Sequence, residues 1–252
     1  MNSVLNFKTK IKNNFNKVSK VYENNAWVQK SCAEILVTKL LGLTPSFYPQ
    51  TILDVGTGTG YIPEFLITHY PNAFYTLNDI APKMIEAAKS KFINYDNFTF
   101  CIGDVEDINF KNQDLIISNL ALQWTEDLFV TLHKLYNKSN LLVFSCLLDG
   151  TFYEWNNVLR DYGLISTMKN YPTLDELILF FKQLKTDKIH FEVKDFKLNF
   201  ANSLLFMRYL KKIGAGSVNS ITPINVLKSL ILNNKKPLEV TYKVFFGIIK
   251  KN

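Results

Sequence analysis

Three aspartates are spaced as a ligand-binding crevice would need them. Asp54 closes the apolar run Ile52-Leu-Asp-Val and is followed by Gly56-Thr57-Gly58-Thr59-Gly60. Asp79 comes 19 residues after Gly60, at the end of a second apolar run, and Asp104 stands in Gly103-Asp-Val-Glu after a third. Glycines directly after a strand let the backbone turn tightly, approach a ligand and present it to a helix N-terminus. A carboxylate at the end of the second strand can accept hydrogen bonds from both hydroxyls of a ribose. The dinucleotide fingerprint G-x-G-x-x-G would need glycine at position 61, which is Tyr61. Singly, each feature has a plainer reading: glycine-rich turns occur in other α/β proteins, a strand-end Asp caps helices, and an Asp in a turn forms the turn. Together, three acids at the C-terminal ends of three consecutive strands line the crevice where open α/β sheets hold ligands.

Such a crevice requires a sheet to carry it. Strands are expected at 51–55, 73–78, 98–102, 114–118 and 140–147, alternating with helices at 60–69, 82–92 and 126–136, the pattern of βαβ units. Leu115-Ile-Ile and Leu141-Leu-Val-Phe are apolar without alternation, as strands covered on both faces are. Before them, residues 3–43 read as helical, with Phe15, Val18, Tyr22 and Ala26 at i, i+3 and i+4 spacings. After residue 150, helices are expected at 151–161, 173–184, 202–213 and 222–233, and strands at 189–200 and 238–249. The fold class is therefore α/β: a mostly parallel, seven-stranded, Rossmann-like sheet with helices on both faces. As a single domain it divides into a helical cap (1–45), a ligand-binding core (50–150), a substrate and lid region inserted before the last strand (151–237) and a closing strand (238–252).

Composition narrows the functional classes. With 252 residues, 47% of them hydrophobic, the chain can bury a large core, which excludes disorder and a disulfide scaffold. The net charge of +7 is unevenly spread: +5 in residues 1–30, −6 in 31–200 and +8 in 201–252. Basic ends around an acidic middle do not suit a protein that coats nucleic acid. Cys32, Cys101 and Cys146, like His69, His133 and His190, are scattered, so no metal site is expected. No run of 18 apolar residues occurs, and a soluble cytoplasmic protein with no membrane or nucleic-acid partner is expected.

An Asp two residues before G-x-G-x-G resembles motif I of class I S-adenosylmethionine-dependent methyltransferases. The fourth strand runs into Ser118-Asn-Leu-Ala-Leu-Gln-Trp124. This differs from the D-P-P-Y and N-P-P-Y motifs of amino methyltransferases and resembles the S-N-L-A-x-Q-W run of the malonyl-acyl carrier protein O-methyltransferases of biotin synthesis. Tyr22, Ala26 and Gln29, preceded by Phe15, resemble that family's Y-x-x-x-A-x-x-Q pattern, and Arg208-Tyr-Leu-Lys-Lys-Ile-Gly-Ala215 its R-x-L-K-x-I-G-A run. Leu238-Glu-Val-Thr-Tyr242 and Phe246-Gly247 are similar to its last strand, so the resemblance covers residues 15–249. Thr57 replaces the usual Cys of the glycine loop, and Cys146 stands where Thr is common.

The resemblance implies methyl transfer from S-adenosylmethionine to the free carboxylate of malonyl-acyl carrier protein or malonyl-CoA, giving the methyl ester that starts pimeloyl assembly. A carboxylic acid titrates near 4, so its nucleophilic form is present at neutral pH and no general base is expected. The implied cofactor-binding residues are Tyr22, Gln29, Asp54, Gly56, Thr57, Gly58, Asp79, Ile80, Asp104, Val105, Asn119 and Leu120. Asp104 would meet the adenine amino group and Tyr22 would close over the methyl. Trp124 would wall the substrate, and Arg208, one of two arginines, would bind the malonyl carboxylate by its planar fork. Lys211 and Lys212 would meet carrier-protein acids or the phosphopantetheine phosphate. Structural roles compete with these: a buried tyrosine, a surface glutamine, a core tryptophan, a surface ion pair and solvated lysines. A quinone-type or other small-molecule methyltransferase, or a non-catalytic assembly or regulatory protein of the same fold, would share the cofactor features.

Overall fold

A computed structural model of the chain describes residues 2–164, 170–184, 186, 188–216 and 236–251. Its sheet is built from β1 (Thr51–Val55), β2 (Phe74–Asp79), β3 (Phe98–Ile102), β4 (Gln113–Asn119), β5 (Ser139–Leu147), β6 (Ile189–Phe200) and β7 (Leu238–Lys250). Their spatial order is β3-β2-β1-β4-β5-β7-β6. The first five run parallel, and β7 lies antiparallel between β5 and β6. From β1 the chain steps outward to β2 and β3, then returns to the other side of β1 as β4. That reversal opens the crevice at the C-terminal edge.

Both faces are buried, which explains the unbroken apolar strands. Ile52, Leu115, Ile117, Leu141 and Val143 face a core completed by α2 (Trp27–Leu43) and α3 (Tyr61–Leu66). Leu53, Ile116, Leu142 and Phe144 face the opposite core, closed by α5 (Leu128–Asn137) and α7 (Leu174–Gln183). Side-chain caps start α5 and α7. Asp127 accepts from Phe129 and Val130 N–H at 2.9 and 3.0 Å, and Thr173 forms a reciprocal capping box with Glu176. The helices α4 (Pro82–Lys91) and α6 (Tyr153–Asp161) complete the layers.

The expected helix over 3–43 is two helices, α1 (Asn2–Val18) and α2, joined by a turn. Asn25 Nδ2 donates to the Val21 carbonyl at 2.7 Å, a side-chain bond that competes with helix continuation. The periodicity carried across because Ala26 N–H still bonds to the Tyr22 carbonyl at 2.8 Å, as it would in a helix. Tyr22 thus sits in the turn, not on a helix. Trp124, expected at a helix start, lies in a short 3-10 turn, Leu122–Trp124. The expected helix at 222–233 falls outside the described residues.

The cap and the lid region meet at a glycine turn, as well as through Asn14 with Gly216 and Lys39 with Glu192. The helix α8 (Ser203–Lys212), capped by Asn202, ends in a Schellman turn: Ala215 N–H bonds to Leu210 C=O at 2.9 Å and Gly214 N–H to Lys211 C=O at 3.3 Å. Gly214 has φ +76°, and a Cβ there would lie 2.7 Å from Phe15 Cδ1 on α1. Gly214→Ala should therefore both strain the turn and push Phe15 away, at a cost of about 1–3 kcal/mol. A thermal melt several degrees below that of the unaltered protein is the expected reading, and an unchanged melt would contradict this packing.

Candidate active site

The glycine loop is held by Asp79. Gly58 N–H donates to Asp79 Oδ2 at 3.0 Å and Ala81 N–H to Oδ1 at 2.8 Å, tying the β1 loop to the start of α4. Gly58 has φ +57°, and a Cβ there would meet nothing nearer than Tyr22 Cε1 at 4.0 Å. Backbone geometry demands this glycine, and its open side faces the crevice beneath Tyr22. Burial pushes the Asp79 carboxyl up to about 6, against the pull of those two N–H groups. Asp54 lies deeper. Neither of its oxygens has a hydrogen-bond partner among the described residues. Burial raises it to about 7, against the lowering effect of the nearby Thr57 hydroxyl and with a further push from the charge of Asp79.

Asp104 stands at the next strand end. The Asn78 side-chain amide donates to the carbonyls of Cys101 and Gly103 at 3.2 and 3.0 Å, fixing the β3 loop. Asp104 Oδ1 accepts from Glu106 N–H at 3.0 Å, and Oδ2 pairs with Lys8 Nζ at 2.8 Å. Lys8 also bonds to Glu106. Burial opposes the lysine's charge, but the two carboxylates outweigh it and hold its ammonium above the usual value. Ile80, Val105, Met84 and Leu122 give this end of the crevice apolar walls.

The end of β4 shapes the opposite side. Asn119 donates to the Gln29 carbonyl at 2.8 Å and accepts from Ser145 Oγ at 2.8 Å, so its side chain joins α2 to β5. Leu120 then adopts φ +46°, a left-handed conformation unusual for leucine, with its N–H donating to Ser145. Above it Trp124 packs edge-on against Phe15, with ring centroids 5.9 Å apart, and Phe15 packs edge-on against Tyr22 at 6.4 Å. The Tyr22 ring stacks with Tyr61 at 6.3 Å, and burial raises its phenol far above the ordinary value.

One crevice thus brings together Tyr22, Gly56, Gly58, Asp79, Ile80, Asp104, Val105, Asn119, Leu120 and Trp124. Asp54, Thr57 and Gln29 are not among its lining residues; all three carry buried side-chain oxygens without a partner among the described residues. Arg208, Lys211 and Lys212 are exposed on α8 and do not line it. Sequence reasoning missed Lys8 and Ile11, which reach the crevice from α1. A signal existed: Lys8, Ile11, Phe15 and Val18 follow helical spacing on one face. Among the described residues, no three His, Cys, Asp or Glu cluster as metal ligands. The donor set fits S-adenosylmethionine. Unsatisfied buried acceptors suit its hydroxyl, amino and ammonium groups, three acids suit a sulfonium cation, and the lysine of the crevice is engaged by Asp104 and Glu106.

Donors on a ligand favour the ionised form of Asp79 and Asp54, so binding should release protons where the free protein still holds them. Affinity for S-adenosylhomocysteine should be full above about pH 7.5 and fall as the pH drops through about 7 and 6. Titration calorimetry near pH 6 in buffers of different ionisation enthalpy measures the proton; constant affinity from about pH 5.5 to 8 would contradict it. The same raised carboxyls bind protons more tightly folded than unfolded. Their contribution to the stability of the ligand-free fold therefore declines as the pH rises from about 4 to about 7.

The family model described as a methyltransferase domain matches residues 49–206. The malonyl-[acyl-carrier protein] O-methyltransferase of Neorickettsia risticii (strain Illinois) is 28% identical, over 95% of this chain and 95% of its own length. The enzyme of that name from Priestia megaterium is 32% identical, over 96% and 97%. Among solved structures, the YcgJ protein of Bacillus subtilis superposes with a TM-score of 0.59 at 16% identity, covering 87% of this chain and 99% of that one. The plantazolicin methyltransferase BpumL, solved with S-adenosylhomocysteine, gives 0.55 at 18%, covering 99% and 98%. Those two likenesses speak to the fold alone. With a methyltransferase domain over most of its length and relatedness running nearly end to end, the chain belongs to the malonyl-[acyl-carrier protein] O-methyltransferase family.

Proposed function

We propose that the chain methylates the free carboxylate of a malonyl thioester on acyl carrier protein in the cytoplasm, with malonyl-CoA as the alternative acceptor. The observation that carries this reading is the meeting of three segments that resemble the family's. Tyr22, Trp124 and the Gly214 turn converge on Phe15, directly over the carboxylate-lined crevice. In that crevice Asp79 would hold the ribose hydroxyls and Asp104 the adenine amino group, while Asp54 and Gln29, whose oxygens are buried and which are not part of its lining, would serve the methionine end. Bound there, S-adenosylmethionine supplies a methyl group activated by its sulfonium. The chain's own work is to hold the acceptor oxygen in line and to keep water from both charges, which the Phe15–Tyr22–Trp124 wall is placed to do. An acceptor already ionised asks for no proton to be removed.

The basic ends suit an acidic partner. Lys12 and Lys17 on α1 and Arg208, Lys211 and Lys212 on α8 are exposed, on two helices that pack together at Phe15 and Gly214. Their charge would steer a carrier protein toward the crevice.

Labelled S-adenosylmethionine offered with malonyl-carrier protein, malonyl-CoA and free malonate tests the activity directly. Label is expected in the malonyl methyl ester, and transfer to none of the three would end the proposal. The KM for malonyl-carrier protein should rise with salt, and Arg208→Ala should raise it about 2–5-fold while leaving that for malonyl-CoA unchanged. An equal effect on both acceptors would remove Arg208 from the carrier-protein surface.

A further inference from the structure

Arg208 is exposed on α8, and the more buried face of that helix offers a second candidate to receive the malonyl carboxylate. The antiparallel pair of β6 and β7 outruns the rest of the sheet. Leu147 of β5 pairs with Val244, and residues 238–243 of β7 continue beyond it, paired only with β6. Tyr242 stands on this overhang at the carboxyl edge of the sheet, buried to 2% exposure and edge-on to Phe152 at 4.5 Å. It donates its hydroxyl proton to the hydroxyl oxygen of Tyr209, on α8, at 3.1 Å. Among the described residues, the proton of Tyr209 itself has no acceptor. The Tyr209 ring rests on Phe200 at 5.4 Å, and α8 ends in the turn that clasps Phe15 on the wall of the crevice. Neither phenol is part of the crevice lining itself, but Tyr22, which is, lies within electrostatic reach of both.

We propose that the Tyr209–Tyr242 hydroxyl pair binds the carboxylate of the methyl acceptor, resting on the reading of the crevice as a carboxyl methyltransferase site. The reaction explains why phenols suit this task. Transfer of a methyl group from sulfonium to carboxylate cancels two charges. A cation gripping the carboxylate would hold it most tightly before reaction and less in the transition state, which slows the step. A neutral donor, the Tyr209 hydroxyl held in place and polarised by the Tyr242 hydroxyl that donates to it, selects an oxygen anion and positions it without that penalty. Burial keeps both phenols protonated, pushing Tyr209 up to about 12 and Tyr242 well above the usual value. They remain donors throughout the range in which the acceptor is ionised.

The test uses Tyr209→Phe and Tyr242→Phe with malonyl-carrier protein, S-adenosylhomocysteine affinity, and inhibition by a malonamyl thioester whose carboxamide replaces the carboxylate. Each variant should lose about 10–100-fold in kcat/KM, mainly through KM, with S-adenosylhomocysteine affinity within about twofold of the unaltered protein. Preference for carboxylate over carboxamide should collapse with it, a change that loosened packing alone would not produce. A kcat/KM within about twofold of the unaltered protein, or an intact preference, overturns the proposal. Should the variants not fold, malonyl-pantetheine titrated into the unaltered protein with S-adenosylhomocysteine must still perturb the tyrosine ultraviolet spectrum; a silent spectrum overturns it equally. If the unaltered protein binds S-adenosylhomocysteine but methylates no malonyl thioester, the underlying reading fails and this one falls with it. Transfer by the unaltered protein and by Tyr209→Phe alike removes only the phenol pair.

Discussion

Two carboxylates buried side by side at the edge of a parallel sheet set the terms for the rest of the molecule. Asp54 lacks any hydrogen-bond partner among the described residues, and Asp79 has only two backbone N–H groups against its burial. An arrangement of this kind persists only where surrounding structure enforces it. The enforcement here is the parallel register of β1, β2 and β4, whose apolar residues are buried on both faces and leave the strand ends no freedom to turn outward. The cost of those groups is offset when a ligand rich in donors and positive charge enters. The free fold is thus strained toward one class of ligand before that ligand arrives.

A second contact decides whether the crevice becomes a closed site. Phe15 touches Tyr22, Trp124 and the Gly214 turn, so cap, sheet loop and lid helix share a single ring. Displacing any one of the three disturbs the other two. The Lys8 pair with Asp104 and Glu106 adds a second anchor of α1, at the adenine end. The cap is therefore pinned at both ends of the crevice by contacts that differ in kind, one aromatic and one ionic.

Much of this was legible in the sequence. The seven strands, their order of appearance and two of the three crevice acids, Asp79 and Asp104, followed from apolar runs, glycines and spacing, because a strand buried on both faces leaves an unambiguous mark. Asp54, by contrast, is buried and does not line the crevice. The break between α1 and α2 was not legible, since one helical turn at Tyr22–Ala26 preserves the spacing while Asn25 diverts the chain. Lys8 was overlooked because a lysine in a basic amphipathic helix looks solvated until the partner carboxylates, almost 100 residues away, are placed beside it. Arg208 drew attention by its rarity, yet the buried face of α8, set by Phe206, Leu210 and Ile213 at helical spacing, turns it outward, a pattern the sequence already carried. Tyr242 is an ordinary strand tyrosine until the overhang of β7 beyond β5 is seen.

The position of β7 also bears on the order in which the molecule is assembled. Strands β1 to β4 pair with partners at most 65 residues away, whereas β7 must find β5 about 100 residues back in the chain. Distant pairings form late, because the entropy of closing the intervening loop is lost before any contact is gained. The crevice floor belongs to the early half of the sheet and the phenol overhang to the late half. The strand ends that carry Asp54, Asp79 and Asp104 thus depend on shorter-range pairings, and the strand that carries Tyr242 on the longest-range one.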